Sequence, residues 1–259
     1  LDTNVMAGRT GTLQEDGRFA NVTYLPCNAE NNFIPSFPKE RVDMIYLCCP
    51  NNPTGTTLSK SELKKWVDYA KANKSIILFD SAYESYIREA DIPHSIYVVP
   101  GAEQCAIEIS SFSKTAGFTG TRCGYTVVPH ALKRKTPQGE TMELNKMWLR
   151  RQTTKFNGVN YIVQRGAEAV FTPEGQAECG AMLEYYRENA RIMMETLDAK
   201  GIKYFGGVYS PYIWMQCPNG MGSWEFFDYL LNKLAIVGTP GEGFGKMGAG
   251  YFRLTAFGS

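Results

Sequence analysis

Residues 105–122 carry the sequence CAIEISSFSKTAGFTGTR, which decides the fold class. The stretch begins with an apolar run that predicts a strand and continues into a loop rich in serine, threonine and glycine. Lys114 lies in that loop behind two hydroxyl residues, Ser111 and Ser113, and Arg122 follows eight residues later. Two hydroxyls and a guanidinium group near one lysine indicate a phosphate-binding loop with a reactive amine.

Three more apolar runs predict strands, at residues 44–48, 75–79 and 124–128. Between the first two, Ser59 and Glu62 have the spacing of a capping box. The apolar residues that follow recur every three or four positions, which predicts a helix. Strands that alternate with helices predict an α/β fold, with a mostly parallel sheet covered by helices.

Polar side chains follow three of these strands. Asn52 lies in the turn after the first strand, Asp80 directly follows the second, and Lys114 follows the strand at 105–109. The carboxyl ends of parallel strands form the ligand-binding edge of an open α/β sheet. We therefore expect these side chains at one edge, together with Tyr83, which lies three residues after Asp80.

The lysine and the aspartate suit a ligand with a pyridine ring. A lysine with its ordinary pKa of about 10.4 becomes a nucleophile only where the site desolvates it or surrounds it with positive charge. A carboxylate at the end of a buried strand is costly unless it meets a cation, such as a protonated pyridine nitrogen. Taken singly, the residues have ordinary alternatives: a solvated lysine, a capping aspartate, an asparagine in a turn and a packed tyrosine.

The second half of the chain predicts a different arrangement. Residues 132–152 are polar and basic, which favours a loop followed by a helix. Of the two helical stretches that follow, the second, at 173–199, has a proline in its first turn and is long enough to join two domains. Beyond it, a helix at 224–234 and short apolar runs at 212–216, 236–237 and 251–255, which suit strands, predict a small α+β unit.

These patterns predict a large domain at 1–172, an interdomain helix at 173–201 and part of a small domain at 202–259. The first residues carry neither an initiator methionine nor a signal peptide. We therefore expect the chain to begin inside a longer protein, with the large domain incomplete at its N-terminus.

The composition argues against several functional classes. Lysine and arginine number 27 against 26 aspartate and glutamate, so the net charge of +1 indicates neither nucleic-acid nor membrane-surface binding. No apolar run approaches the ~20 residues of a membrane span. Seven cysteines without a C-x-x-C pair predict free thiols in a reducing cytoplasm. His94 and His130 lack partners at metal-ligand spacing, so no metal is expected.

Together these motifs resemble the fold-type-I pyridoxal-phosphate-dependent aminotransferases, where N-P-x-G, D-x-x-Y and S-x-S-K with a later arginine occur in this order. The resemblance implies a three-layer large domain with pyridoxal 5'-phosphate as its cofactor. By this resemblance Lys114 would form a Schiff base with the cofactor and shuttle a proton, and Asp80 would bind the pyridine nitrogen. Asn52 and Tyr83 would bind the ring oxygen. The residues that would bind the phosphate are Ser111, Ser113 and Arg122.

Within this family, several segments are most similar to the LL-diaminopimelate aminotransferases: 49–55, 80–83, 111–120, 156–158, 239–245 and 252–258. The similarity implies a homodimer that transfers an amino group from LL-diaminopimelate to 2-oxoglutarate, a reaction of lysine biosynthesis. Arg253 would bind the substrate α-carboxylate with a bidentate fork. Asn52 would also contact the substrate, and Asn157 would reach it from the partner subunit.

Two alternatives remain open. The same residues would serve another class I/II aminotransferase, acting on aspartate or aromatic amino acids, or a C–S lyase. Family members also carry an earlier phosphate loop, an aromatic residue that stacks on the pyridine ring, and closing helices after the last strand. None of these is present in the sequence, so an inactive fragment is the other alternative. Taken alone, Arg253 also fits a strand-edge charge, and Asn157 a loop residue.

Overall fold

Three parallel strands and one antiparallel strand form the main sheet. The structure, a computed structural model, describes residues 2–258. The sheet has the order β1-β2-β3-β4. Its strands are β1 Met44–Cys48, β2 Ile76–Asp80, β3 Ala106–Ser111 and β4 Gly124–Val127. The first three strands are parallel and β4 is antiparallel to β3. The predicted α/β fold with a mostly parallel sheet is confirmed.

Seven α-helices lie within residues 2–258. They are α1 Asp2–Met6, α2 Lys60–Asn73, α3 Phe112–Thr115, α4 Leu144–Lys155, α5 Tyr161–Ala169, α6 Pro173–Ala199 and α7 Ser223–Leu234. At the start of α2, the Ser59 hydroxyl accepts from the Glu62 backbone N–H at 3.2 Å, and the Glu62 carboxylate accepts from the Ser59 N–H at 2.8 Å. This is the predicted capping box. No helix within residues 2–258 is long and apolar enough to cross a membrane.

A second sheet of four strands, order β7-β8-β10-β9, lies beyond α6. Its strands are β7 Tyr204–Gly206, β8 Tyr212–Gln216, β9 Thr239–Pro240 and β10 Tyr251–Thr255. The predicted strand at 236–237 was wrong. Helix α7 ends at Ala235 in a left-handed conformation (φ 54°), and the Ile236 N–H bonds back to Leu230. Residues 236–237 therefore lie in an exposed connection, and the strand starts later.

The interpretation of 132–152 as a loop followed by a helix missed a hairpin. Strand β5, Lys133–Lys135, pairs with β6, Thr141–Glu143, before α4 begins at Leu144. A turn at Gly139, which has φ +89°, and a hydrogen bond from the Thr136 N–H to the Glu140 carbonyl close the hairpin. Charged and polar residues on both strands obscured the period-two pattern by which strands are recognised.

Helix α6, 27 residues long, contacts both sheets. Pro173 occupies its first turn and the Thr172 hydroxyl accepts from the Gly175 N–H at 3.1 Å, as expected of a helix start. Leu183 packs with tyrosines that follow β2 and begin β8, whereas Leu197 packs in the core of the second sheet. One long helix thus fixes the two sheets against each other.

The turn after β1 packs directly on the second sheet. Gly206 has φ +80°, and a β-carbon there would lie 2.7 Å from the carbonyl oxygens of both Thr54 and Tyr212. The backbones of the two sheets meet at this point, so only glycine fits.

Replacing Gly206 with alanine is expected to lower the free energy of unfolding by more than the about 1–3 kcal/mol that a left-handed non-glycine residue costs, because steric overlap with two carbonyls adds to the backbone strain. Urea unfolding measures the change. Gly201→Ala is the matched control, since Gly201 also has positive φ (+65°) but has no atom within 4 Å of the added carbon. Equal losses in the two variants would contradict the predicted close approach.

Glu108 is a buried carboxylate in β3, only 6% exposed. Its Oε2 atom accepts from the Ser95 hydroxyl at 2.6 Å and from the Ile96 N–H at 3.0 Å. Burial raises the pKa of Glu108 above its ordinary value of 4.5, although these two hydrogen bonds act in the opposite direction. The folded protein therefore holds this proton more tightly than the unfolded chain does.

Because the folded state binds more protons, the free energy of unfolding should fall as pH rises from about 4.5 through the raised pKa of Glu108. Glu108→Gln keeps an acceptor oxygen but cannot ionise, so its stability relative to the unmodified protein should increase across that window. Glu108→Ala leaves both donors unpaired and should lose about 1–3 kcal/mol. Urea unfolding from pH 4 to 7 measures both effects, and parallel pH curves for Glu108→Gln and the unmodified protein would contradict the prediction.

Candidate active site

The carboxyl ends of β1 and β2 place two predicted site residues side by side. Cys48 and Asp80 are register partners, and the Cys49 N–H donates to the Asp80 carbonyl at 3.0 Å. The chain then turns through Asn52, held by a hydrogen bond from the Asn51 N–H to the Thr56 carbonyl at 2.8 Å. Asn52 therefore projects from the same sheet edge as Asp80, as the sequence predicted.

Asn52 joins Tyr83 to Arg253. Its amide Nδ2 lies 3.4 Å from the Tyr83 hydroxyl, and its Oδ1 accepts from Arg253 Nη1 at 2.6 Å. Tyr83 follows β2, whereas Arg253 belongs to β10 of the second sheet. The structure thus brings together three predicted site residues from both sheets.

The Arg253 guanidinium contacts two aromatic rings. Its central carbon is 4.2 Å from the ring centre of Tyr212 and 4.9 Å from that of Phe244. Arg253 Nη2 donates to the Thr239 hydroxyl at 3.3 Å, while the buried Nε has no partner within residues 2–258. A half-buried guanidinium with an unpartnered Nε donor suits a carboxylate ligand.

The Asp80 carboxylate accepts hydrogen bonds but has no charged partner. The Tyr46 hydroxyl donates to it at 2.5 Å, and the Ala82 N–H donates at 3.1 Å. Burial, reinforced by the bond to Asp80, raises the pKa of Tyr46, which keeps this hydroxyl protonated as a donor. None of the ion pairs found between residues 2 and 258 includes Asp80, so the carboxylate remains available to a ligand cation.

Lys114 lies on α3, a single helical turn after β3. Its Nζ atom is 4.7 Å from the ring centre of Phe257, which in turn lies 6.0 Å from the Tyr212 ring. Phe257 and Tyr212 thus lie between the lysine and the group formed by Asn52, Tyr83 and Arg253, since Tyr212 contacts both Tyr83 and Arg253. No carboxylate of the described chain forms an ion pair with it.

The loop after Lys114 returns to the start of α3. The Phe112 N–H donates to the Cys123 carbonyl at 3.1 Å, and Ser111 pairs with Gly124, so the backbone that follows Arg122 returns to the start of α3. The Ser111 hydroxyl accepts from the Ser113 N–H at 3.1 Å. Arg122 is exposed, has φ +65° and donates to the Thr119 carbonyl.

Asn157 is not part of this group. It lies in the exposed connection after α4, where its N–H donates to the Gln152 carbonyl at 3.0 Å. Its predicted role depends on a second subunit and stays a prediction.

The side chains at this edge fit the groups of pyridoxal phosphate. The Asp80 carboxylate, which has no cationic partner in the described residues, could pair with a pyridine nitrogen, and the Asn52 amide and Tyr83 hydroxyl could donate to a ring oxygen. The Lys114 amine forms no ion pair there, and Ser111, Ser113 and Arg122 could contact a phosphate. No cluster of three metal-ligating side chains occurs in the described residues. The donor set therefore matches the groups that the cofactor presents.

The chain belongs to the class I and II aminotransferase family, whose model matches residues 25–259. Within it, the chain is 62% identical to LL-diaminopimelate aminotransferase of Bacteroides fragilis, over 100% of this chain and 63% of that protein. It is 60% identical to the enzyme of the same name from Bacteroides thetaiotaomicron, with the same coverage. The chain thus spans less than two thirds of the length of these relatives.

Solved structures give the same result. LL-diaminopimelate aminotransferase from Chlamydomonas reinhardtii superposes with a TM-score of 0.91 at 45% identity, covering 100% of this chain and 62% of that one. An aromatic aminotransferase from Pyrococcus horikoshii matches with a TM-score of 0.78 at 22% identity, which supports the fold alone. The predicted resemblance to pyridoxal-phosphate-dependent aminotransferases, and within them to the LL-diaminopimelate group, is confirmed.

Sequence reasoning missed several residues that support the site. They are Tyr46, which bonds Asp80, and the residues around Arg253 and Lys114, namely Tyr212, Thr239, Phe244 and Phe257. Only Tyr46 had a usable signal. It lies two residues before Cys48 in the same strand, so its side chain shares the face of Cys48, the register partner of Asp80.

Proposed function

We propose that the protein carrying this chain is an LL-diaminopimelate aminotransferase that uses pyridoxal phosphate and transfers the amino group to 2-oxoglutarate. The observation that supports this most is the contact of Asn52 with both Tyr83 and Arg253. Identity of 62% to an enzyme of that name supports the choice of substrate.

In this proposal each residue has one task toward the cofactor. When bound, the cofactor supplies an electron sink that makes the α-proton of an amino acid acidic. Asp80 pairs with the protonated pyridine nitrogen, and Asn52 and Tyr83 donate to the ring oxygen. The phosphate is bound by Ser111, Ser113 and Arg122.

Lys114 and Arg253 act on the substrate. The Lys114 amine holds the cofactor covalently at rest and, once released, carries a proton to and from the substrate α-carbon. Arg253 binds the α-carboxylate through its free Nε and a terminal nitrogen, a bidentate geometry specific to guanidinium. Both substrates, an amino acid and a 2-oxo acid, present this carboxylate.

The proposal extends to assembly and architecture. A homodimer would bring Asn157 of one subunit to the substrate of the other. Residues 1–172 and 202–259 would form parts of a large and a small domain joined by the helix within 173–201. Seven free cysteines are consistent with a cytoplasmic protein.

Cofactor titration followed by steady-state kinetics tests the proposed function. We expect saturable uptake of pyridoxal phosphate and the highest kcat/KM with LL-diaminopimelate, compared with aspartate, phenylalanine and a cysteine thioether. Preference for aspartate or phenylalanine would indicate another class I/II aminotransferase, and release of a thiol would indicate a C–S lyase. Absence of saturable cofactor uptake would indicate an inactive fragment, and any of these results would contradict the proposal.

A further inference from the structure

Tyr212 touches both halves of the candidate active site. It is the first residue of β8 and is buried. Its hydroxyl lies 3.2 Å from the Tyr83 hydroxyl, and its ring centre lies 4.2 Å from the guanidinium carbon of Arg253. Tyr212 therefore contacts Tyr83, which the proposed function places at the cofactor ring oxygen, and Arg253, which it places at the substrate carboxylate.

Asn52 makes the same two connections from the other side. It bonds Tyr83 through Nδ2 and Arg253 through Oδ1. The four side chains therefore form a closed ring of contacts. Hydrogen bonds join Arg253 to Asn52, Asn52 to Tyr83 and Tyr83 to Tyr212, and a cation–π contact joins Tyr212 back to Arg253. Because each member has two neighbours in this ring of contacts, a displacement of one changes the position of the others.

The hydrogen bonds at Tyr83 leave its proton available to a ligand, because either hydroxyl of the Tyr83–Tyr212 pair can be the donor. A phenol oxygen has two acceptor sites and one hydrogen to donate. The Asn52 amide fills one acceptor site, and the Tyr212 hydroxyl is within reach of the other. Burial, followed by the bond to Tyr212, raises the pKa of Tyr83, so its proton is retained. When a ligand oxygen accepts the Tyr83 proton, the Tyr212 hydroxyl can donate into the remaining acceptor site of Tyr83, so the pair supports donation toward a ligand.

We propose that Tyr212 is a positioning residue with two separable actions: its hydroxyl directs the Tyr83 proton toward the cofactor ring oxygen, and its ring holds Arg253 in place for the substrate carboxylate. This inference rests on the proposed function. It assigns the two actions to different atoms, so two substitutions at one position separate them.

Tyr212→Phe removes the hydroxyl and keeps the ring. With the Tyr83 proton no longer directed, the ionised ring oxygen is less stabilised, and the pH midpoint of the visible absorbance of bound cofactor should rise by up to about 1 pH unit. KM for the amino acid should stay within about twofold, because the ring still packs on Arg253.

Tyr212→Leu removes both groups. It should show the same spectral shift, and KM for the amino acid should also rise roughly 5- to 30-fold, as expected for loss of a desolvated cation–π contact. Tyr83→Phe is the control for the hydroxyl: adding Tyr212→Phe to it should shift the midpoint no further. A purely structural role of Tyr212 would alter stability without separating the spectral midpoint from KM.

An unchanged midpoint in Tyr212→Phe, or a rise in KM equal to that of Tyr212→Leu, would overturn the inference. If the unmodified protein takes up no pyridoxal phosphate, the proposed function fails, and a double-mutant cycle on the cofactor-free protein decides the inference. Tyr83→Phe and Tyr212→Phe should then show a coupling of roughly 2- to 10-fold in the unfolding equilibrium constant. Strictly additive effects would refute the bond between the two hydroxyls and with it the inference.

Discussion

Lys114→Ala is expected to abolish covalent attachment of pyridoxal phosphate and to lower kcat by at least ~100-fold, the lower range for loss of a positioned proton carrier. Lys114 follows β3 on a single helical turn, and its amine contacts the Phe257 ring at 4.7 Å, with no carboxylate partner in the described residues. An amine in this position is free to bond the cofactor aldehyde. Borohydride reduction followed by mass spectrometry measures the attachment independently of turnover.

Two further variants make the result specific. Lys114→Arg keeps the positive charge beside Phe257 but offers no nucleophilic amine, so it should fold normally and still fail to hold the cofactor after reduction. Lys65→Ala, on the exposed face of α2, should leave attachment and kcat unchanged. Reductive attachment of cofactor to Lys114→Ala at the yield of the unmodified protein would show that another lysine is the anchor.

The elements around Lys114 could be predicted from the sequence because their signals are local. Apolar runs that end at a turn or at a polar residue define β1, β2 and β3, and the Ser59 capping box defines the start of α2. Because parallel strands end at a common edge, the ends of β1 and β2 also predicted which polar residues would meet there. The hairpin β5–β6 escaped prediction because its strands are short and charged.

The support around the site could not be predicted, because its contacts join residues far apart in the chain. Tyr83 and Tyr212 are separated by 129 positions, and Asn52 and Arg253 by 201. Tyr212 begins a five-residue strand whose first four residues are buried, so nothing local distinguishes it from a core residue. Its significance arises only once α6 and the close approach at Gly206 bring the second sheet against the first.

The second large effect is expected at Arg253. Each charge-assisted hydrogen bond contributes about 1.5–3 kcal/mol, so Arg253→Leu, which loses two of them to the substrate carboxylate, should lower kcat/KM by roughly 100- to 10,000-fold. Arg253→Lys retains the charge but not the bidentate fork. Its kcat/KM should lie between those of the unmodified protein and Arg253→Leu, roughly 10- to 100-fold below the unmodified protein. The loss should lie mainly in KM, for the amino acid and for the 2-oxo acid alike.

A substrate without the α-carboxylate separates this role from a general disturbance of the site. Arg253 also bonds Asn52, so its removal could shift the neighbours of the cofactor ring oxygen. With the corresponding amine as substrate, the unmodified protein and Arg253→Leu should react at similar low rates, because neither gains from carboxylate binding. If Arg253→Leu reduces the amine reaction as strongly as the amino-acid reaction, Arg253 supports the site through Asn52 and does not bind the carboxylate. Cofactor affinity, measured in parallel, should change far less than kcat/KM, because the direct contacts proposed for the cofactor come from other side chains.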